Sequence, residues 1–341
     1  RGSPANGVPH SEQVLASTDD DAKKNHSEAR YLLGLARYRS GDLVGAIGVF
    51  DQLLAEKGGG SYRDDAGYLR FKASEARYAA DPSAATEPAY EQALIAFLRE
   101  FPKHKAAPEA RFRLGEFRQR QEKLVEAEVE YAQVKGDPSF AVRAVFASAQ
   151  CLVKRLEQAP EGSKPDPELM RRARAALDAF WAELASRDAK ELGDAPVGAL
   201  SGQAALMSAY LAALADPPEY ERALGWLDGF EEKYPKLANE RPQVVKLRLL
   251  ALSRLGKLEA AAIEAARPEV SGLDPTYLDD LATRFLTTAA REQAAGKPEA
   301  AAAGKRAALL LSEGALAAPS TTELSPVVRR RLQSTAASLH E

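Results

Sequence analysis

Cysteine is almost missing from this sequence. Cys151 stands alone, so no disulfide can form within the chain and no cysteine cluster can hold zinc. Histidine is scarce too: His10, His26, His104 and His340 lie far apart, with no metal-ligand spacing and no base placed beside the single thiol. Cys151 falls in an apolar helix-patterned run from Val145 to Leu152 and reads as a small core residue. Aromatics make up 7% of the chain, little stacking surface for a sugar-binding cleft. No apolar run approaches the roughly 18 residues that a membrane-crossing helix needs, so direct membrane insertion is not expected. The net charge of -3 and the pI near 6.0 leave no overall basic field to gather nucleic acid or anionic lipid. Runs of β-branched residues are absent as well, while alanine, leucine, glutamate and arginine dominate, which favours helices over strands.

What the chain does contain is helical pattern in a repeating order. Its 341 residues are 45% hydrophobic and 28% charged. That length exceeds the roughly 250 residues one compact core usually spans, and an elongated array of small units resolves the conflict. One spacing occurs twice: Gly34, Gly41, Ala46 and Phe50 step by seven, five and four residues, and Gly115, Glu122, Ala127 and Tyr131 step likewise. Each copy reads as a helix with a small residue on its packing face, a tight turn, and a second helix with alanine one turn before an aromatic. The spacing predicts a close crossing where Gly34 meets Ala46, with Phe50 filling the space beside it. Repetition of this kind points to a stacked array whose function lies in its surface.

The residues Leu33, Gly34, Tyr38, Gly41, Asp42, Ala46 and Phe50 resemble the tetratricopeptide repeat, and Leu114, Gly115, Ala127 and Tyr131 resemble a second copy. Arg37 and Arg118 stand where that family usually carries its first-helix aromatic, with Tyr38 one residue later. A narrower resemblance covers Phe97 to His104 followed by Ala110 to Gly115, echoed by Phe230 and Tyr234-Pro235-Lys236. These segments are similar to repeats of bacterial cell-envelope proteins, namely outer-membrane assembly lipoproteins and the periplasmic coordinator of the Tol-Pal system. In those repeats an aromatic closes the core between pairs and a following proline stops the helix. The resemblance implies a periplasmic or cell-envelope setting; the cytoplasm stays open, because the anchoring cysteine of the lipoproteins is absent.

Further second helices are marked by Ala93 with Phe97, Ala176 with Phe180 and Ala223 with Leu227, then by Ala261 and Ala301 behind the turns Gly256-Lys257 and Gly296-Lys297. The expected fold is therefore all-α, a right-handed superhelix of about seven repeat-like helix pairs with a C-terminal capping helix. Residues 1–21 read as a flexible lead-in, in which Arg1-Gly2-Ser3 resembles an expression scar; such a start fits a trimmed export signal or a truncated chain. Residues 22–187 and 202–318 form two subarrays around a possible hinge at 188–201, and 319–341 form the cap, with a helix from about Ser325 to Leu339 whose Arg329-Arg330-Arg331 face water. Asp81-Pro82-Ser83 and residues 159–167 lengthen turns within pairs. Gly58-Gly59-Gly60 reads as a plain connection, since a phosphate loop would continue into Gly-Lys-Ser or Gly-Lys-Thr.

No residue pattern nominates a catalytic group, a cofactor or a metal. Asp19-Asp20-Asp21 and Asp279-Asp280 read as a solvated lead-in and a helix first turn. In such an array the first helices line the concave face, so the groove candidates are Glu28, Tyr31, Leu35, Tyr38, Arg39, Arg77, Glu116, Gln119 and Arg120, suited to a protein or peptide partner. Tyr31, Leu35 and Tyr38 read equally well as packing between helices, and the arginines as solvated surface. Family members that grip a chaperone's C-terminal carboxylate carry an asparagine one residue after the small one; Leu35, Ser74 and Glu116 stand there, which implies no such binding. The expected function is a non-catalytic interaction scaffold. Two other readings stay open: a self-assembling homo-oligomeric scaffold or accessory domain of a cell-envelope enzyme complex, and an all-α toroid glycosidase or lyase with carboxylates among the 49 acidic residues.

Overall fold

The computed structural model describes residues 7–16, 26–56, 62–160, 163–188, 192, 196–318 and 325–340, and among them it contains helices and no strand. Contacts divide the chain into two compact units, one up to Cys151 and one from Leu152 onward. The expected break at 188–201 lies partly outside the described residues, as do Asp19-Asp20-Asp21 and Gly58-Gly59-Gly60.

The first unit holds α1 (Gly7–Ala16), α2 (His26–Ser40), α3 (Leu43–Ala55), α4 (Arg63–Ala80), α5 (Glu87–Glu100), α6 (Ala107–Arg120), α7 (Leu124–Tyr131) and most of α8 (Pro138–Glu157). From α2 to α7 each helix packs on the next. Helix α1 falls inside the stretch expected to be a flexible lead-in: its Ser11 is buried, and it packs on α2. Good helix formers from Glu12 to Ala16 outweigh the Pro, Gly and Ser around them.

The two copies seen in the sequence turn in the same way. Gly41 has φ +85° and Glu122 has φ +59°. Asp42 N–H donates to Arg37 O (3.0 Å) and Lys123 N–H to Arg118 O (3.0 Å), so each first helix ends in a left-handed residue closed by a six-to-one hydrogen bond. Asp42 then caps α3, accepting from Gly45 N–H at 2.9 Å. Beyond the turn, Ala46 and Ala127 are fully buried. The closest approach at Gly34, however, is to Phe50 and not to Ala46: a Cβ there would lie 2.5 Å from Phe50 Cε1, and one at Gly115 would lie 2.5 Å from Tyr131 Cε1. In each copy the aromatic ring takes the space that a side chain on the glycine would fill. Phe101, in the aromatic-proline segment, covers Gly67 of α4 in the same fashion.

Arg37 and Arg118, standing in place of an aromatic, tie each pair to the helix before it. Arg37 Nη2 donates to Glu12 of α1 (3.2 Å). Arg118 Nε lies 3.6 Å from Glu91 of α5, while its Nη1 donates to Glu130 of α7 (2.9 Å).

The second unit contains α9 (Pro167–Ala185), α10 (Val197–Ala213), α11 (Tyr220–Leu227), α12 (Phe230–Lys233), α13 (Arg241–Leu255), α14 (Leu258–Ala265), α15 (Pro275–Ala294), α16 (Pro298–Ala317) and α17 (Pro326–His340). The turns at Gly256 and Gly296 repeat the left-handed form, with Lys257 N–H donating to Leu252 O and Lys297 N–H to Glu292 O. Ala223, Ala261 and Ala301 are buried behind them as expected. Ala176 is only half-buried; the small core residue of α9 is Ala173, one turn before Leu177 and two before Phe180. Gly229, at φ +61°, separates α11, which carries the expected Ala223 and Leu227, from the single turn of α12, and Leu237 together with Tyr234 fills the space over Gly202.

Two buried charge clusters hold this unit. Arg248 donates to both oxygens of Glu231 (2.8 and 3.0 Å), lies 3.4 Å from Glu264 and also donates to Leu227 O, while Arg267 donates to Glu231 (2.7 Å) and approaches Glu264 (3.1 Å). Asp279, expected in the first turn of a helix, is the fifth residue of α15 and is buried, and Arg331 of α17 pairs with both its oxygens, one at 3.0 Å. Arg331 therefore does not simply face water. Leu332 beside it is fully buried, and Ser325 Oγ accepts from Val328 N–H at the start of the helix.

Candidate protein-binding surface

Within the first unit, α4, α6 and α8 present a connected row of charges. Side chains three or four residues apart share a helix face, which brings together Lys72 and Glu75 on α4, then Glu109, Arg113 and Glu116 on α6, with Arg143 on α8. Lys72 pairs with Glu75 on its own helix and donates to Glu109 across to α6 at 3.0 Å. Arg113 Nε lies 3.2 Å from Glu75, and its Nη1 donates to Glu116 at 2.8 Å. Arg143 reaches Glu116 at 3.8 Å and lies over the Phe112 ring at 4.5 Å. Three cations and three carboxylates alternate, so the row is close to neutral. Burial alone would lower the pKa of Lys72 and of Arg113, but the facing glutamates outweigh it and both are raised.

Behind the row lies an aromatic layer. Tyr78 and Tyr90 stack at 5.1 Å and both meet Phe117 edge-on. Burial, helped by Glu75, pushes the Tyr90 phenol well above its ordinary pKa, so it faces Glu75 as a neutral hydroxyl donor at 3.5 Å.

The groove candidates separate into three sets. Tyr31 is half-buried and stacks on Tyr62 with centroids 5.0 Å apart, Tyr38 packs against the core around Phe50, and Gln119 accepts from the Tyr131 hydroxyl at 2.7 Å. Leu35 is half-buried as well. Glu116 belongs to the charged row. Glu28, Arg39 and Arg120 are exposed, and Arg77 is half-buried. Arg120 lies over the Tyr78 ring at 5.5 Å. Arg39, Arg77 and Arg120 sit in the last turns of α2, α4 and α6, and none has a carboxylate partner among the described residues.

Sequence reasoning missed Lys72, Glu75, Glu109, Arg113 and Arg143. The alternation of charge sign at helical spacing within α4 and α6 carried that signal. Among the described residues no helix is long and apolar enough to cross a membrane, and no group of three His, Cys, Asp or Glu is placed to hold a metal ion. No protein-family model matches the chain, and comparison with curated proteins gives no match.

Proposed function

We propose that the chain is a non-catalytic protein-interaction scaffold, built as a tetratricopeptide-like superhelix whose first helices hold a partner peptide or domain. The observation that carries this reading is the run of Arg39, Arg77 and Arg120 at the ends of successive first helices, none with a carboxylate partner among the described residues. A cation at a helix C-terminus suits the dipole, and an arginine without a carboxylate of its own offers a partner's carboxylate a planar, bidentate contact. The aromatic-proline segments at Phe101-Pro102 and Tyr234-Pro235 support a cell-envelope setting.

The test is a crosslinking pull-down from separated envelope and cytosolic fractions, comparing wild type with the variant Tyr38→Ala, Arg39→Glu and Arg120→Glu. A partner captured by the wild type and lost by the variant supports the adaptor and gives its compartment. Retention of every partner by the variant removes the first-helix face from consideration. Self-assembly is the second reading, favoured by Val125 and Val129, both about half exposed on one face of α7. A concentration-dependent mass in solution that Val129→Lys abolishes would choose it.

A further inference from the structure

The left-handed turns follow the C-terminal ends of α2 and α6, and the links between pairs lie at the other edge of the first unit. There the loops 101–106 and 132–137 flank a cleft of about 640 Å³. It opens at the N-terminal ends of α6 and α8, and α6 alone sets it about 20 Å from Arg120.

Both walls are fixed from within. On one side His104 Nδ1 accepts from Ala106 N–H at 3.0 Å, which assigns the ring proton of the neutral form to Nε2. The same ring stacks on Tyr68 and meets Phe97 edge-on. On the other side Asp137 accepts from Ser139 N–H (3.0 Å) and Ser139 Oγ (2.8 Å), so its carboxylate is occupied in starting α8. Arg111 is likewise held, 3.4 Å from Glu130.

The charges left over are all of one sign. Lys103, Lys105 and Lys135 line the cleft, are exposed, and have no carboxylate partner among the described residues. Three unpaired cations face one opening on a chain whose net charge is -3. We propose that this cleft is a second binding site, one that takes a short acidic peptide segment by its side-chain carboxylates. The positive field is local, so an extended polyanion would run from it onto an acidic remainder. Bases would find only the His104 ring to stack on, and it already stacks on Tyr68 and meets Phe97 edge-on. A lipid surface would need an apolar anchor, and none of the large exposed hydrophobic residues lines the cleft.

The proposal stands apart from the first-helix face, and its test uses different residues. Binding of a fluorescein-labelled octaglutamate peptide to the full chain is followed by anisotropy at low and physiological salt. The variant Lys103→Glu, Lys105→Glu and Lys135→Glu is expected to bind at least about tenfold more weakly. A control with the same charge change in the second unit, Lys164→Glu, Lys236→Glu and Lys305→Glu, is expected to bind as wild type does. All six lysines are exposed, and circular dichroism confirms that each variant is folded. Equal loss in the control would reduce the effect to overall charge and overturn the site. Tighter binding of a single-stranded oligonucleotide, or of phosphatidylglycerol vesicles, than of the peptide would overturn the ligand class.

Discussion

Glu122 holds a left-handed conformation that its repeat counterpart, Gly41, takes without strain. A side chain there costs about 1 kcal/mol or more, and a carboxylate at the end of α6 opposes the helix dipole. Its side chain is exposed, where a charge interaction is worth little. Glu122→Gly is therefore expected to raise stability by ~0.5–1 kcal/mol, while Gly41→Ala lowers it by a similar amount, both read from denaturant midpoints. A destabilised Glu122→Gly would show that the two turns are not equivalent. Gly34 and Gly115 make a different demand, for space. Gly34→Ala or Gly115→Ala puts a methyl 2.5 Å from an aromatic carbon and should cost ~1–3 kcal/mol. Combining Gly34→Ala with Phe50→Leu should cost less than the two changes added, because the smaller side chain makes room. Additive costs would mean that Phe50 is not what the glycine accommodates.

Among the elements, α17 is seated by the buried Leu332, with Val328 and Leu339 packed against the same core, and by Arg331, which reaches Asp279. Arg331→Ala leaves a buried carboxylate without its cation, and with the guanidinium half in solvent the cost is about 1–3 kcal/mol. Faster hydrogen exchange of residues 326–340 should follow, and Asp279→Asn should recover part of the loss. Unchanged exchange in α17 would show that this pair does not seat the helix. The cluster joining α12, α13 and α14 sets two glutamates in opposition. Burial raises the pKa of Glu231, but the hydrogen bonds from Arg248 and the charge of Arg267 outweigh it and bring it below its ordinary value. Its stabilisation is complete above the unfolded pKa of about 4.3 and is lost as pH falls through the lower folded value. For Glu264 burial dominates and the pKa is raised, so its charge costs stability as pH rises through that raised value. Glu231→Gln should thus cost more at neutral pH than in acid. Glu264→Gln should gain on wild type over the same rise, and the reverse order of the two variants would refute the assignment. Much of this level was legible in the sequence. The turns and the buried Ala46, Ala93, Ala127, Ala223, Ala261 and Ala301 follow from steric rules that act over a few residues. The Phe101 ring over Gly67, the Leu237 and Tyr234 side chains over Gly202 and the Arg331–Asp279 pair were not legible, since each joins residues tens of positions apart that no local rule couples. Ala176 misled because alanine suits an exposed helix face as well as a packed one.

At the scale of the whole molecule, composition already argued against one core, and the described residues gather into separate buried clusters within two units. The chain's two tryptophans, Trp181 and Trp226, both belong to the second unit, where their rings stack 5.5 Å apart. Tryptophan emission therefore reports on that unit alone, whereas helical circular dichroism reports on both. Ala127 is fully buried in the first unit, so Ala127→Glu buries a charge and should cost ~3–5 kcal/mol. If each unit is stabilised by its own core, part of the dichroism signal will be lost at lower denaturant while the tryptophan transition keeps its midpoint. Glu231→Gln should do the opposite, moving the tryptophan transition and leaving the early part of the dichroism curve in place. A tryptophan midpoint that shifts with Ala127→Glu would instead mean that the two units unfold as one, with α8, which runs from one into the other, carrying the coupling.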